Sequence, residues 1–313
     1  MATTAKPAVP PSLAVGLALA TLGAVAFSGK AIIVKLAYRH GVDAVTLIML
    51  RMLFALPFFL AMSWWASRRT PKQQPPALTR KDVLGIVWLG VTGYYLASFL
   101  DFAGLQYITA SLERLILYLN PTLVLLLGLV LVGRRIARRQ VIGMAISYAG
   151  VLLVFGHEVT LQGADVALGA VLVFLSAVSY ALYLFHSGEM VQRLGSMRLV
   201  GLATSVACLL CIAQFVILRP LETALAVAPQ VVWLSVLNAT LCTVVPVMMV
   251  MMAIERIGSG LAAQVGMVGP MSTMVMGVLV LGEPFTAWLV GGTVLVITGV
   301  FVCSRAVSYT RHA

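Results

Sequence analysis

The sequence predicts an all-α integral membrane protein, with ten transmembrane helices forming two inverted five-helix repeats around a central cavity. Three observations carry that prediction. Hydrophobic residues make up 61% of the 313 and charged residues only 10%, with a mean hydropathy of +1.03. Ten stretches approach the roughly 20 mostly apolar residues that a membrane helix needs. A pattern of glycines and one proline recurs 149 residues further along. Soluble globular chains are about 45–50% apolar and about 25% charged. A water-soluble globule, a disordered chain and a nucleic-acid binder are therefore excluded.

The spans fall at 12–37, 44–66, 82–104, 106–132, 139–156, 166–188, 196–218, 229–253, 258–282 and 285–304. The first resembles a signal peptide at Leu13 to Ala26, but its apolar run continues to Ala37, too long for a cleavable core. Ser67 to Lys81 is a Pro-rich loop between spans 2 and 3, and no soluble domain fits between any two spans. The cysteines Cys208, Cys211, Cys242 and Cys303 lie in apolar runs without histidines at metal spacing, so they read as small core hydrophobes. No metal site or cofactor motif is expected. The predicted organisation is a tail (1–11), a first repeat (12–156), an external linker (157–165), a second repeat (166–304) and a tail (305–313).

Basic residues orient the chain. With the N-terminus in the cytoplasm, fifteen Lys and Arg fall on the inner side and three on the outer. Such a bias is the usual orienting device of membrane proteins. It accounts for the formal charge of +11 without a nucleic-acid partner. Both termini are expected to be cytoplasmic, in a bacterial inner membrane.

The repeat is visible in register. At a shift of 149, Pro121 meets Pro270, and Gly128, Gly133, Gly143 and Gly150 meet Gly277, Gly282, Gly292 and Gly299. Gly16 meets Gly169 at 153, and Gly41 meets Gly195 at 154. Five spans per unit is odd, so the second unit enters the membrane from the opposite face. Transporters use such inverted repeats to expose a midplane site to one side at a time.

From Ser259 to Val302 the chain reads GLAAQVGMVGPMSTMVMGVLVLGEPFTAWLVGGTVLVITGVFV after its first residue. A mid-span proline, Gly282-Glu283 at a span end and a glycine-bearing last helix resemble the drug/metabolite transporter superfamily, EamA type. Arg51-Met52-Leu53-Phe54-Ala55-Leu56 resembles the arginine motif of that family's second span. Two features depart from it: Gly133-Arg134 in the first copy, and Phe27-Ser28-Gly29 where Trp-Gly is common. The resemblance implies ten helices around a cavity and alternating-access movement of a small organic solute, often outward.

Charges within spans are costly and mark functional hypotheses. All of them sit in the first copy: Lys30, Arg51, Asp101, Glu113 and Arg114. Their positions along four spans place them at similar depth in the outer third of the membrane. Three cations against two carboxylates predict mutual pairing with one cation to spare. One reading is a structural salt network capping the outer end. The other has some members facing the cavity, where a spare cation holds a substrate carboxylate and Asp101 or Glu113 carries a coupling proton. Adjacent Glu113 and Arg114 point about 100° apart and cannot serve one face equally.

Further candidates form stripes: Tyr94, Ser98, Asp101 and Leu105 in span 3; Ser176, Tyr180, Tyr183 and Ser187 in span 6; Asn238, Cys242 and Pro246 in span 8. Gln264 joins the path candidates. Pro121 beside Asn120 and Pro270 beside Gly269 are expected mid-span kinks, the best sequence pointer to a transport site. Gly143/Gly150 and Gly292/Gly299 read as a packing seam or a homodimer contact. The expected partners are a small-molecule substrate and the lipid bilayer. An intramembrane enzyme is the rival class, and the sequence holds no zinc-protease or aspartyl pattern and no serine with an evident partner histidine. A non-transporting scaffold or a channel is the other alternative.

Overall fold

The computed structural model describes residues 11–68, 78–133, 136–266 and 268–309. Among them every regular element is helical. Eight helices are long and apolar enough to cross a bilayer: α1 (Leu13–Tyr38), α2 (Ala44–Arg68), α3 (Arg80–Gly104), α4 (Ala110–Val132), α5 (Arg138–Leu161), α6 (Asp165–Leu194), α7 (Ser196–Leu218) and α8 (Pro229–Val250). Two shorter apolar helices follow, α9 (Val268–Leu281) and α10 (Ala287–Cys303), and a five-residue helix, Leu221–Leu225, lies between α7 and α8. In hydrocarbon a helix satisfies all its backbone groups internally, which is why such apolar runs take this form.

Two boundaries differ from the sequence reading. The expected linker 157–165 is mostly helix, because α5 continues to Gln162 and only Gly163 and Ala164 separate it from α6. Glu158 holds that last turn in place by accepting hydrogen bonds from the Thr109 backbone N–H and hydroxyl. Helix also runs unbroken over Val245–Gly266, through the expected gap between spans 8 and 9. That continuation leaves α9 shorter than expected.

Contacts along α1 fix directions. Gly16 faces Ile257, Gly23 faces Val250 and Gly29 faces Cys242, so α8 and its continuation run antiparallel to α1. The Ser28 hydroxyl donates to the Gly269 carbonyl at 2.8 Å, and Arg39 donates to the Leu281 carbonyl at 2.7 Å, so α9 runs parallel to it. The chain therefore reverses between Ile257 and Gly269. We call the end where α1 starts the near end and the other the far end. The five tryptophans are all exposed and sit towards helix ends: Trp64, Trp65 and Trp88 at the near end, Trp233 and Trp288 at the far end. Amphipathic indoles gather at membrane–water interfaces.

The predicted glycine seam lies within the chain. A Cβ on Gly143 would meet the Gly299 carbonyl at 2.6 Å, and one on Gly150 would meet that of Gly292 at 2.7 Å. Small residues let helix backbones approach where no hydrophobic force drives association. Among the described residues, none of this α5–α10 pair lines the cavity between the other spans.

Backbone geometry recurs along the chain. Gly41 and Gly195 both take left-handed φ, at 76° and 80°, and so do Gly133 and Gly282, at 66° and 72°. Glycine alone adopts this region without steric cost. A π-helical turn interrupts α3 at Gly90–Leu96 and α8 at Thr240–Val244, again about 149 residues apart. Gly16 packs on Arg256 and Ile257, and Gly169 packs on Tyr107 and Ile108.

Candidate functional site

A cavity of about 580 Å³ lies between the helices, lined from α1–α4 and from α6–α9. On α1 its wall runs from Ala20 to Lys30, ten residues or about 15 Å of helix rise. Lys30 and Asp101 stand at its far limit, and Ala20, Val250 and Ala262 at its near limit.

The π turn in α3 carries Gly93 and Tyr94 to the wall, and that in α8 carries Thr243. Such turns widen the helix by one residue and are frequent at functional sites. In α4 the helix breaks after Leu117 and restarts at Asn120. Pro121 occupies the restart, where its missing N–H costs nothing. It is exposed on the outside of the bundle, so its part is to break the helix. The break presents Leu117, Tyr118 and Asn120 to the cavity, and the Tyr118 hydroxyl donates to the Gly266 carbonyl at 2.9 Å. Pro270 is buried in the first turn of α9, and its neighbour Gly269 lines the wall. Pro121 therefore marks a break in the middle of α4, while Pro270 stands at a helix start rather than in mid-span.

Of the five intramembrane charges, three form ion pairs with one another. Lys30 Nζ lies 2.5 Å from Asp101 Oδ2 and 3.5 Å from Glu113 Oε1. Arg114 Nε donates to the Thr273 hydroxyl at 3.0 Å, and its Nη2 to the Phe27 carbonyl at 3.3 Å. Arg51 is left over. Its Nη2 reaches the Ser98 hydroxyl only at 3.4 Å, and its Nε and Nη1 have no hydrogen-bond partner. Its guanidinium rests 4.9 Å from the centroid of the Phe102 ring. Asp101 Oδ1 and Asn120 Oδ1 also lack partners.

Most of the predicted path residues reach the wall: Lys30, Arg51, Tyr94, Ser98, Asp101, Arg114, Asn120, Tyr180 and Tyr183. All four members of the α6 stripe do so, including Ser176 and Ser187. In the α3 stripe Leu105 turns into the hydrophobic core instead. Two candidates stand behind the wall. Glu113 is fully buried against Lys30, and Asn238 is buried with its Nδ2 donating to the Lys30 carbonyl at 3.5 Å. The side chain of Gln264 lies outside the described residues. Tyr183 packs against both other tyrosines, with ring centroids 5.2 Å from Tyr94 and 5.4 Å from Tyr180.

Sequence reasoning missed Phe27, Ser28, Phe59, Tyr118 and Thr243, all on the wall. Phe27, Ser28 and Tyr118 had a usable signal, since the first two belong to the Phe27-Ser28-Gly29 run already quoted and the third lies two residues before the Asn120-Pro121 pair. Glu283, between the last two spans, was quoted in the sequence reading only as part of the Gly282-Glu283 span end. Glu283, just after α9, caps the start of α4, accepting from Ala110 N at 2.6 Å and from the Ser111 hydroxyl at 2.6 Å. A carboxylate is favourable there because the first N–H groups of a helix are unpaired and carry partial positive charge.

The arrangement defines a class: a multi-pass helical membrane protein with a partly charged internal cavity. Residues 14–156 and again 167–305 match the EamA-like transporter family, and the chain belongs to it. It is 30% identical over 299 residues to the uncharacterized transporter YcbK of Bacillus subtilis (strain 168), covering 91% of this chain and 92% of that one. The uncharacterized transporter YyaM of the same organism is 26% identical over 236 residues, covering 74% and 77%. A solved crystal structure aligns over 93% of this chain and 96% of its own with a TM-score of 0.61, at 15% identity, a likeness of fold. The protein is a membrane transporter of this family.

Proposed function

We propose that the protein is an alternating-access carrier that exports small organic metabolites, amino acids or similar solutes. In this reading ten spans form two inverted five-span repeats, both termini face the cytoplasm of a bacterial inner membrane, and the near end is the cytoplasmic one. The observation that carries it is the cavity, walled by four helices from each half and bounded at one end by ion pairs between helices. The paired left-handed glycines, the paired π turns and the two separate family matches support the duplication. Cytoplasmic solute enters from the near end. Rocking of the halves closes that end, and α1, packed along α8 of the second half, moves with it away from α3 and α4, parting Lys30 from Asp101 and Glu113 and opening the far end. Asp101 and Glu113 share one cation, so a proton on either weakens its hold on Lys30 and couples protonation to opening.

Proteoliposomes preloaded with radiolabelled amino acids test this. The expected outcome is saturable efflux that competing solutes inhibit, with a pH dependence that Asp101→Asn or Glu113→Gln flattens. Non-saturable flux would indicate a channel, and no flux a scaffold; either result defeats the proposal.

A further inference from the structure

Three cations and two carboxylates meet at the far end of the cavity, leaving one positive charge in excess. Its location is specific. Lys30 is held by two carboxylates, and Arg114 is held by the Thr273 hydroxyl and the Phe27 carbonyl. Arg51 is 5% exposed and has two guanidinium nitrogens without partners, yet it stands on the cavity wall. An unpaired buried charge is expensive in a low-dielectric interior. A guanidinium offers its donors as a planar fork that matches a carboxylate. Here the fork is supported from behind by the Phe102 ring, an arrangement that favours a cation through the ring's negative face.

The remaining wall has a different chemistry. Tyr94, Tyr180 and Tyr183 form a continuous aromatic surface, and Phe27 and Phe59 also line the space. Aromatic rings favour offset or edge-to-face contact with another ring. The volume falls within the roughly 300–1,000 Å³ usual for small-molecule sites.

Resting on the carrier reading and narrowing its substrate class, we propose that the cavity selects aromatic monocarboxylates, with Arg51 as the carboxylate anchor and the three tyrosines receiving the ring. The available donors decide the monoanion. Lys30 and Arg114 are already held, so the Arg51 fork is the place left for one carboxylate. Asp101 Oδ1 and Asn120 Oδ1, both unpartnered on the same wall, favour an ammonium group, so the zwitterion belongs in the test.

Calorimetric titration of the full-length protein in nanodiscs compares 3-phenylpropionate, its neutral amide and phenylalanine. The acid is expected to bind at least about tenfold more tightly than either of the others, as removal of one member of a desolvated charge pair requires. Arg51→Gln brings the acid down to the level of the amide, while Arg51→Lys, which keeps the charge without the fork, retains part of the preference. Equal or tighter binding of the amide or of phenylalanine to the unaltered protein overturns the proposal. So does an acid preference that survives in Arg51→Gln, or an absence of binding by all three. The comparison on the unaltered protein stands even if the variants fail to fold. Saturable efflux of amino acids without acid preference would defeat this inference alone, whereas acid-selective binding without any flux would defeat the carrier reading alone.

Discussion

The two halves of the chain share several backbone features and differ in chemistry. Left-handed glycines recur at Gly41 and Gly195 and at Gly133 and Gly282, and π turns recur in α3 and α8. The residues that match the buried charges do not repeat them. In the repeat register Lys30 falls on Tyr183 or Leu184, Arg51 on Ser205, Asp101 on Val250 and Glu113 on Ala262. Tyr183, Leu184, Val250 and Ala262 line the same cavity. One end of the cavity is thus closed by ion pairs, and the positions that would close the other carry no charge. Charge present in one half alone makes the two ends of the cavity unequal.

The largest expected effect comes from removing the hub of the charged end. Lys30→Met leaves the Asp101 and Glu113 carboxylates facing each other, both almost wholly buried. Stranding a buried charge by deleting its partner costs about 3–5 kcal/mol. Tyr183→Phe, at the matching place in the other half, removes only a hydroxyl that meets the Tyr94 hydroxyl at 3.3 Å. One such hydrogen bond is worth about 1 kcal/mol. Unfolding in mixed micelles measures both, and adding Asp101→Asn and Glu113→Gln to Lys30→Met is expected to recover most of the loss. Similar costs for the two single substitutions would erase the difference between the ends.

The α5–α10 seam is where the halves are expected to behave alike. A methyl group on Gly143 would stand 2.6 Å from the Gly299 carbonyl, and one on Gly292, its repeat partner, would run into Val154 Cγ2 and stand 2.7 Å from the Gly150 carbonyl. Neither helix can take the extra group without moving away. Overpacking of this kind costs about 1–3 kcal/mol. Gly143→Ala and Gly292→Ala should therefore lower stability to a similar degree in the same unfolding assay. Gly156→Ala, on the same helix as Gly143 with nothing within 4 Å of the added carbon, is the control expected to show no loss. A cost confined to one partner would break the symmetry of the seam.

The sequence made the helices, the repeat register and the polar faces legible, because each arises from local spacing. Ser176, Tyr180, Tyr183 and Ser187 share one helical face, and all four reached the cavity. It also made legible that one cation would be spare. It could not say which, since that depends on the rotation of four helices about one another. Arg51 and Arg114 are equally buried arginines, and only the position of Thr273 on α9 and the carbonyl of Phe27 on α1 separates them. Glu283 was illegible as a helix cap for a related reason. It is 173 residues from the helix start it caps, and nothing local marks that meeting.

The smallest expected effect sharpens the comparison further. Gly133 and Gly282 close α4 and α9 with nearly the same left-handed geometry, and neither has any atom within 4 Å of a would-be Cβ. The backbone strain of an alanine is therefore equal at both, about 1 kcal/mol. The two turns differ in the chemistry just beyond them. Glu283 is bonded to the Ala110 and Ser111 backbone and to the Ser111 hydroxyl, and its direction depends on the turn that Gly282 makes. Gly282→Ala should cost the strain plus part of that cap, a further amount on the order of 0.5–1 kcal/mol. Gly133→Ala should cost the strain alone. Adding Glu283→Gln to each alanine variant should narrow the gap between the two sites, because the charged share of the cap is then gone from either background. If Gly133→Ala instead proved the costlier substitution, the cap on α4 would not be the feature that distinguishes the two turns.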